Sequence, residues 1–598
     1  MRQKVAFSAL MALLFNLHFV HSFADEDWTD EKSKEVLSKT LRVHLAPDLS
    51  QLSDGERAAI EYLLEVGTIM HDLYLHSRHI DALQAREVLV GPTVDGLGKD
   101  DIRRLEELFW LSKGPIVTTM SNERIPFLPV AEETPGKNVY PWGISREEVD
   151  RFLQSHPESS SSVMHLRHVV RRTNEGNLQR DMETLALHPA IDELHPGLKD
   201  RLARLSGADA PGLYGLPYSV AYAPQLVRAH RLLHQAADAV IEEDPGFARF
   251  LRNRARDLLT DDYEAGDASW VTGVQGNLNA QIGAYETYDD ALYGIKAFFS
   301  LCLFVRDNER SDQLAKALGE VQRLEDSLPY ESTRKIPDRI PVGVYNVVAD
   351  FGQSRGANTA TILPNEGYLT SQYGRTILVR GNIISDERIF DLARNAFMAA
   401  TSEIHHADLA QDGNLYRTFW HEVGHYLGPI STRDGRDISL ALGRTSNALE
   451  EMKSDLISLF AVKYLRKSGF YDERQARAVY ASGIRRVLAK NRPRRDQDYE
   501  TMKLIQFNWF LRKGLLRFDE ERKELVIDYS QYHNSIKSLL ASVLELQGIG
   551  DESSAEEFID ANTHWDETLH AVIAAKLRAA ENSRFIMVTY EAIAGPHS

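Results

Sequence analysis

Three observations predict a mostly helical α+β fold. Apolar residues recur at helical spacing through most of the chain. A stretch from about 335 to 385 instead reads as short strands between Gly- and Pro-containing turns. No internal repeat breaks this pattern into units. At 598 residues the chain can bury a large core, and that length favours two lobes.

Taken in order, the first 24 residues read as a signal peptide. Arg2 and Lys4 give a positive start, Val5 to Val20 is largely apolar, and Ser22-Phe23-Ala24 offers a cleavage site before Asp25. The alternative is an uncleaved membrane anchor. Ser53-Asp54-Gly55-Glu56 then has the capping-box pattern and opens a helix through Ile60, Leu63, Leu64, Val66, Met70 and Leu73. Residues 126–143 and 157–162 read as breaks. Helical pattern runs from Ala223 to Leu259, interrupted at Asp244-Pro245-Gly246. Val342–Val348 and Thr376–Val379 read as strands, and helices dominate again from 388 to 515. Leu525–Ile527 reads as one more strand, and the segment after it is helical up to Ile586.

Composition narrows the functional classes. A formal charge of −18 argues against nucleic acid and anionic membrane surfaces as partners. After signal cleavage, no later stretch is apolar for long enough to span a bilayer. The single cysteine, Cys302, lies in the apolar run Phe298–Phe304 and reads as a buried apolar residue; no intramolecular disulfide is possible. No N-glycosylation sequon occurs. An exported protein of this kind fits the bacterial periplasm or secretion, as a monomer.

The chemistry concentrates in His421-Glu422-Val423-Gly424-His425. Residues four apart share a helix face, so both imidazoles can reach one metal ion while Glu422 stands beside it as a general base. Phe419, Trp420 and Val423 suit a buried helix, and Gly428-Pro429 ends it. A catalytic zinc needs a third protein ligand. The next helix, starting near Asn447 and carrying Met452, Leu456, Leu459 and Phe460 inward, offers Glu451 and Asp455 on one face. Glu451 is read as the third ligand and Asp455 as the carboxylate that orients a ligand imidazole. The alternative for both is a solvated first turn made acidic by the helix dipole.

These motifs together resemble the dipeptidyl peptidase III family of zinc metallopeptidases. The resemblance rests on HEVGH, on Leu449–Leu456, on Ala284–Asp290 with Gly294, and on Ala360–Glu366, in matching order and spacing over about 280–515. It implies one Zn2+ held by His421, His425 and Glu451, with Glu422 as general base. It implies Tyr288 as a donor to the oxyanion, and Glu286 and Asn365 as holders of the free α-amino group of a peptide substrate. It also implies a cleft between a helical zinc lobe and a mixed lobe containing a small β-barrel. The corresponding division is 1–24 signal, 25–335 helix-rich part of the substrate lobe, 336–387 strand segment lining the cleft, 388–515 zinc-binding lobe and 516–598 C-terminal segment. Read from the residues alone, Tyr288 is rather a core aromatic, and Glu286 and Asp289 a solvated acidic turn.

Three departures from the family pattern stand out. Most of the family has one more residue between its histidines, which requires a local bulge, whereas four-residue spacing suits a regular helix. Ile362 occupies the position of a second amine-binding asparagine, and Tyr499 that of a further catalytic histidine. The functional expectation is a zinc peptidase acting on short peptides from the N-terminus. The alternatives are a zinc-retaining peptide-binding protein with little turnover, or a zinc peptidase of other specificity.

Overall fold

A computed structural model describes residues 28–593, apart from 90, 92–96, 206–211, 274–275, 333, 337–339, 365–366 and 496. The predicted signal peptide and Asn365 both lie outside the described residues. Among those described, no helix is long and apolar enough to cross a membrane.

The fold is helical around one mixed sheet, with two large hydrophobic cores. The first core gathers the helices Asp54–Arg78, Ala223–Val240 and Pro245–Thr260. The predicted capping box is present: Ser53 Oγ accepts from the Glu56 amide at 3.1 Å, and Glu56 Oε2 accepts from the Ser53 amide at 2.8 Å. Asp244 caps the third of these helices, accepting from the Phe247 amide at 2.8 Å, so Asp244-Pro245-Gly246 breaks the helical pattern as its chemistry dictates. The second core is built by the helices Gln411–Gly424, Ser446–Lys467, Glu473–Val487, Asp498–Arg512 and Tyr532–Ile549.

Between the cores stands a five-stranded sheet in the order Leu278–Ala284, Phe299–Arg306, Val342–Gly352, Thr376–Arg380, Ala360–Leu363. Only the pair Val342–Gly352 with Thr376–Arg380 is parallel. Side chains alternate across a strand, and here the alternation divides them between lobes. Val344, Ile377 and Val379 enter the second core, while Tyr345, Val347 and Leu378 enter the first. The sheet is therefore the wall joining the lobes, covered on both faces, which explains its near-continuous apolar strands.

The expected small β-barrel is not closed. Among the described residues the edge strands Leu278–Ala284 and Ala360–Leu363 do not pair with each other, and the sheet stays open. Phe299–Arg306 is a strand, with Cys302 fully buried at its centre as expected. Its Sγ also accepts a hydrogen bond from Arg380 Nη2 at 3.2 Å, so the thiol serves as a polar partner as well as filling space. Near the ends of the chain, Thr40–Leu45 and Phe585–Tyr590 form a parallel two-stranded ribbon against the first core.

Candidate metal centre and cleft

The Gln411–Gly424 and Ser446–Lys467 helices pack closely, and a glycine sets how closely. A Cβ on Gly424 would lie 2.9 Å from Ser454 Cα and 3.0 Å from Ser454 O. With no side chain there, the carboxylates of the second helix reach the histidines of the first. His421 Nε2 lies 3.3 Å from Glu451 Oε2, and His425 Nε2 lies 3.9 Å from Glu451 Oε1. One ligand atom from each of His421, His425 and Glu451 falls within 4.8 Å of the others. The two imidazoles stand nearly perpendicular, at 89°.

Each histidine is oriented from behind through its other ring nitrogen. His421 Nδ1 lies 2.8 Å from Asp455 Oδ1, and Asp455 is fixed in turn by Arg417 Nη1 at 3.1 Å and Arg486 Nε at 3.2 Å. His425 Nδ1 lies 3.0 Å from Glu450 Oε1, whose carboxylate also accepts from Lys453 Nζ at 2.8 Å and Gln547 Nε2 at 3.0 Å. Such pairing directs Nε2 of both rings toward a shared point. Glu450 is a member of this site that the helical spacing of Glu451 and Asp455 does not point to. Its signal was its position beside Glu451, at the end of the seam opposite Asp455.

The electrostatics match this arrangement. Burial works against the charge of Asp455, but Arg486 and His421 outweigh it and hold the carboxyl well below its ordinary range. Burial likewise opposes the Glu450 anion, and Lys453 and His425 overcome it. Glu451 is also lowered: burial raises it, and the two imidazoles and Tyr499 more than compensate. His421 is pushed up to about 9, its burial outweighed by Asp455 and Glu451. Among the described residues no hydrogen-bond partner satisfies Glu451 Oε2, a buried carboxylate oxygen beside two imidazoles. A nitrogen, nitrogen, oxygen donor set with such an orphaned oxygen fits zinc.

The other side of the cleft is loop. The segment after Leu278–Ala284 carries Glu286 and Tyr288, and its backbone is gripped from beneath. Tyr285 Oη donates to Asp267 Oδ1 at 2.5 Å, and Asp267 pairs with the buried Arg254. Arg167 Nε donates to the Ala284 carbonyl at 3.1 Å while its guanidinium lies 3.7 Å over the Tyr263 ring. Asp289 accepts from Tyr74 Oη at 3.1 Å and Gln353 Nε2 at 2.9 Å. Asp290 accepts from four backbone amides between Leu292 and Lys296, at 2.9 to 3.1 Å. The solvated-turn alternative therefore fails for Asp289, a half-buried anchor of the segment.

Tyr288 is 80% exposed, so it is not a core aromatic. Desolvation comes first in raising its pKa, followed by Glu286; Tyr499 and Glu451 also contribute. The phenol thus keeps its proton, with Glu451 of the metal group among the charges acting on it. Tyr499 is raised in the same way, by desolvation and then by Glu451. It lies over Arg486, whose guanidinium carbon is 5.9 Å from its ring centre. Ile362, on the edge strand, is partly buried against the second core.

No family model matches the chain. Over 558 residues, 87% of this chain and 69% of that protein, it is 25% identical to Nudix hydrolase 3 of Arabidopsis thaliana. Its structure is similar to that of dipeptidyl peptidase III from Caldithrix abyssi, with a TM-score of 0.77, 23% identity, and 93% of this chain and 99% of that one covered. It is also similar to dipeptidyl peptidase III from Corallococcus sp. strain EGB, with a TM-score of 0.72, 24% identity, and coverage of 93% and 96%. Nearly end to end, then, the chain has the two-lobed fold of the dipeptidyl peptidase III structures.

Proposed function

We propose that this chain is a zinc metallopeptidase that hydrolyses short peptides from their N-termini. The observation that carries the reading is the convergence of His421, His425 and Glu451, each histidine held by its own buried carboxylate. The shared fold of two dipeptidyl peptidase III structures supports it. When bound, zinc would polarise the scissile carbonyl and make a water nucleophilic at neutral pH. Glu422 takes the proton of the attacking water and returns it to the departing amine. Tyr288, kept neutral, donates a hydrogen bond to the oxygen that becomes negative. Glu286 pairs with the α-ammonium of the peptide, and Asn365 is proposed to share that task. Ile362 supplies no such contact, so recognition of the N-terminus rests on fewer groups. The Nudix name of the plant relative is not carried to this chain.

We further propose export through cleavage after Ala24, which N-terminal sequencing of the mature protein tests, and a monomeric state. The function is tested by measuring metal content and assaying peptides with free and blocked N-termini, beside Glu422→Gln. The expected outcome is zinc in both proteins, and cleavage of free-amine peptides by the wild type alone. Equal inactivity of the two proteins with zinc and peptide still bound favours the peptide-binding alternative. Equal cleavage of blocked peptides favours a peptidase of other specificity.

A further inference from the structure

Behind the cleft segment lies a group of buried and half-buried cations that peptide hydrolysis does not use. Arg355, in the turn after the Val342–Gly352 strand, is 5% exposed. Among the described residues no hydrogen-bond partner reaches its Nε, Nη1 or Nη2. Its guanidinium lies 4.1 Å over the Trp110 ring. Lys113 follows the Lys99–Ser112 helix with φ at 56° and donates from Nζ to the Gln353 carbonyl at 2.5 Å, two residues from Arg355. Gln353 Oε1 and Ser112 Oγ are buried there without partners among the described residues.

The neighbouring carboxylates are already engaged elsewhere. Asp289 lies 3.4 Å from Arg78, and Asp350 lies 2.8 Å from Arg380. Arg78 is itself satisfied by Glu133 and by the carbonyls of Ser112 and Lys113. Among the described residues, Arg355 and Lys113 have no carboxylate of their own within ion-pair distance. A buried guanidinium with no acceptor is costly, and a π-face returns only part of that cost. Burial, followed by Arg355, pulls Lys113 down to about 7, and His71, which faces the same cations, is held neutral. Protein groups therefore leave a concentrated positive charge in the interior.

We propose that Arg355 and Lys113 form a buried site for a monovalent inorganic anion, with chloride as its physiological class of ligand. The two cations flank Gln353, whose amide holds Asp289, so the anion would stiffen the segment that carries Glu286 and Tyr288. This is a binding site of the fold, and its existence does not depend on the peptidase reading.

The test uses the full chain and bromide as the probe. Crystals soaked in sodium bromide should give an anomalous peak within contact distance of the Arg355 guanidinium, and Arg355→Met should lose it. No peak beside Arg355 overturns the proposal, and the site is then satisfied by water. In solution, the wild type should melt at a higher temperature in sodium chloride than in sodium gluconate of equal ionic strength. That difference should vanish in Arg355→Met and shrink in Lys113→Gln, the second variant guarding against misfolding of the first. An unchanged chloride effect in both variants overturns the assignment, because the ion then acts elsewhere. Neither readout involves peptide cleavage, so failure of the peptidase reading leaves both intact.

Discussion

The two walls of the cleft are built on opposite principles. One wall is two helices in direct contact, and its candidate metal-site residues are spaced by the helical repeat: His421 with His425, and Glu451 with Asp455. The facing wall is a loop and an edge strand, and the residues proposed to meet a peptide there depend on anchors from distant parts of the chain. Tyr74, Arg254, Asp267 and Gln353 all hold the segment around Glu286 and Tyr288. A helical pair carries its geometry in its own backbone. A loop must borrow it from a packed interior, and the buried ion pairs beneath this one are where it does so.

The contrast can be broken at several points, beginning with the largest effect. Glu451→Ala should lose most of the zinc, measured by metal analysis after gel filtration; full occupancy would move the third ligand elsewhere. Tyr288→Phe should lower kcat by about a hundred- to a thousandfold while zinc stays bound, as expected for one oxyanion donor. If its kcat were unchanged, Tyr288 would not be the oxyanion donor. Glu450→Gln should weaken zinc by about 10- to 100-fold, the usual effect of removing a carboxylate behind a ligand histidine. Competition with a chelator reads this directly, and an unchanged affinity would leave Asp455 as the only orienting group. Gly424→Ala should cost about 1–3 kcal/mol of stability through the clash with Ser454, read from a denaturant midpoint. If instead it were neutral, the helices would be less tightly registered than their contact implies.

The same contrast explains what the sequence made legible. His421, His425, Glu451 and Asp455 stand out because a helix converts sequence spacing into spatial proximity, and all four meet as expected. Glu450 does not stand out because an acidic residue close to a helix start already has an ordinary explanation in the helix dipole. On the facing loop only the family resemblance points to Tyr288. Nothing local to residues 284–290 announces that Tyr285 is tied to Asp267, or that Asp289 is tied to Tyr74. Leu278–Ala284 was missed as a strand for a related reason: it is buried on both faces, so the alternation that marks a half-buried strand is absent. The closed barrel was an inference from family likeness, and the open sheet corrects it.

The ribbon joining Thr40–Leu45 to Phe585–Tyr590 has a consequence for synthesis. Its register pairs Val43 with Val588, and Tyr590 reaches inward to donate to Asp350 Oδ2 at 3.1 Å, beside Arg380. Trp110, whose ring lies under Arg355, donates to the Val588 carbonyl at 2.9 Å. The first lobe thus waits for residues translated more than 540 positions after its opening strand. Contacts of such separation form late. A growing chain would hold Thr40–Leu45 without its partner strand until Phe585–Tyr590 had emerged.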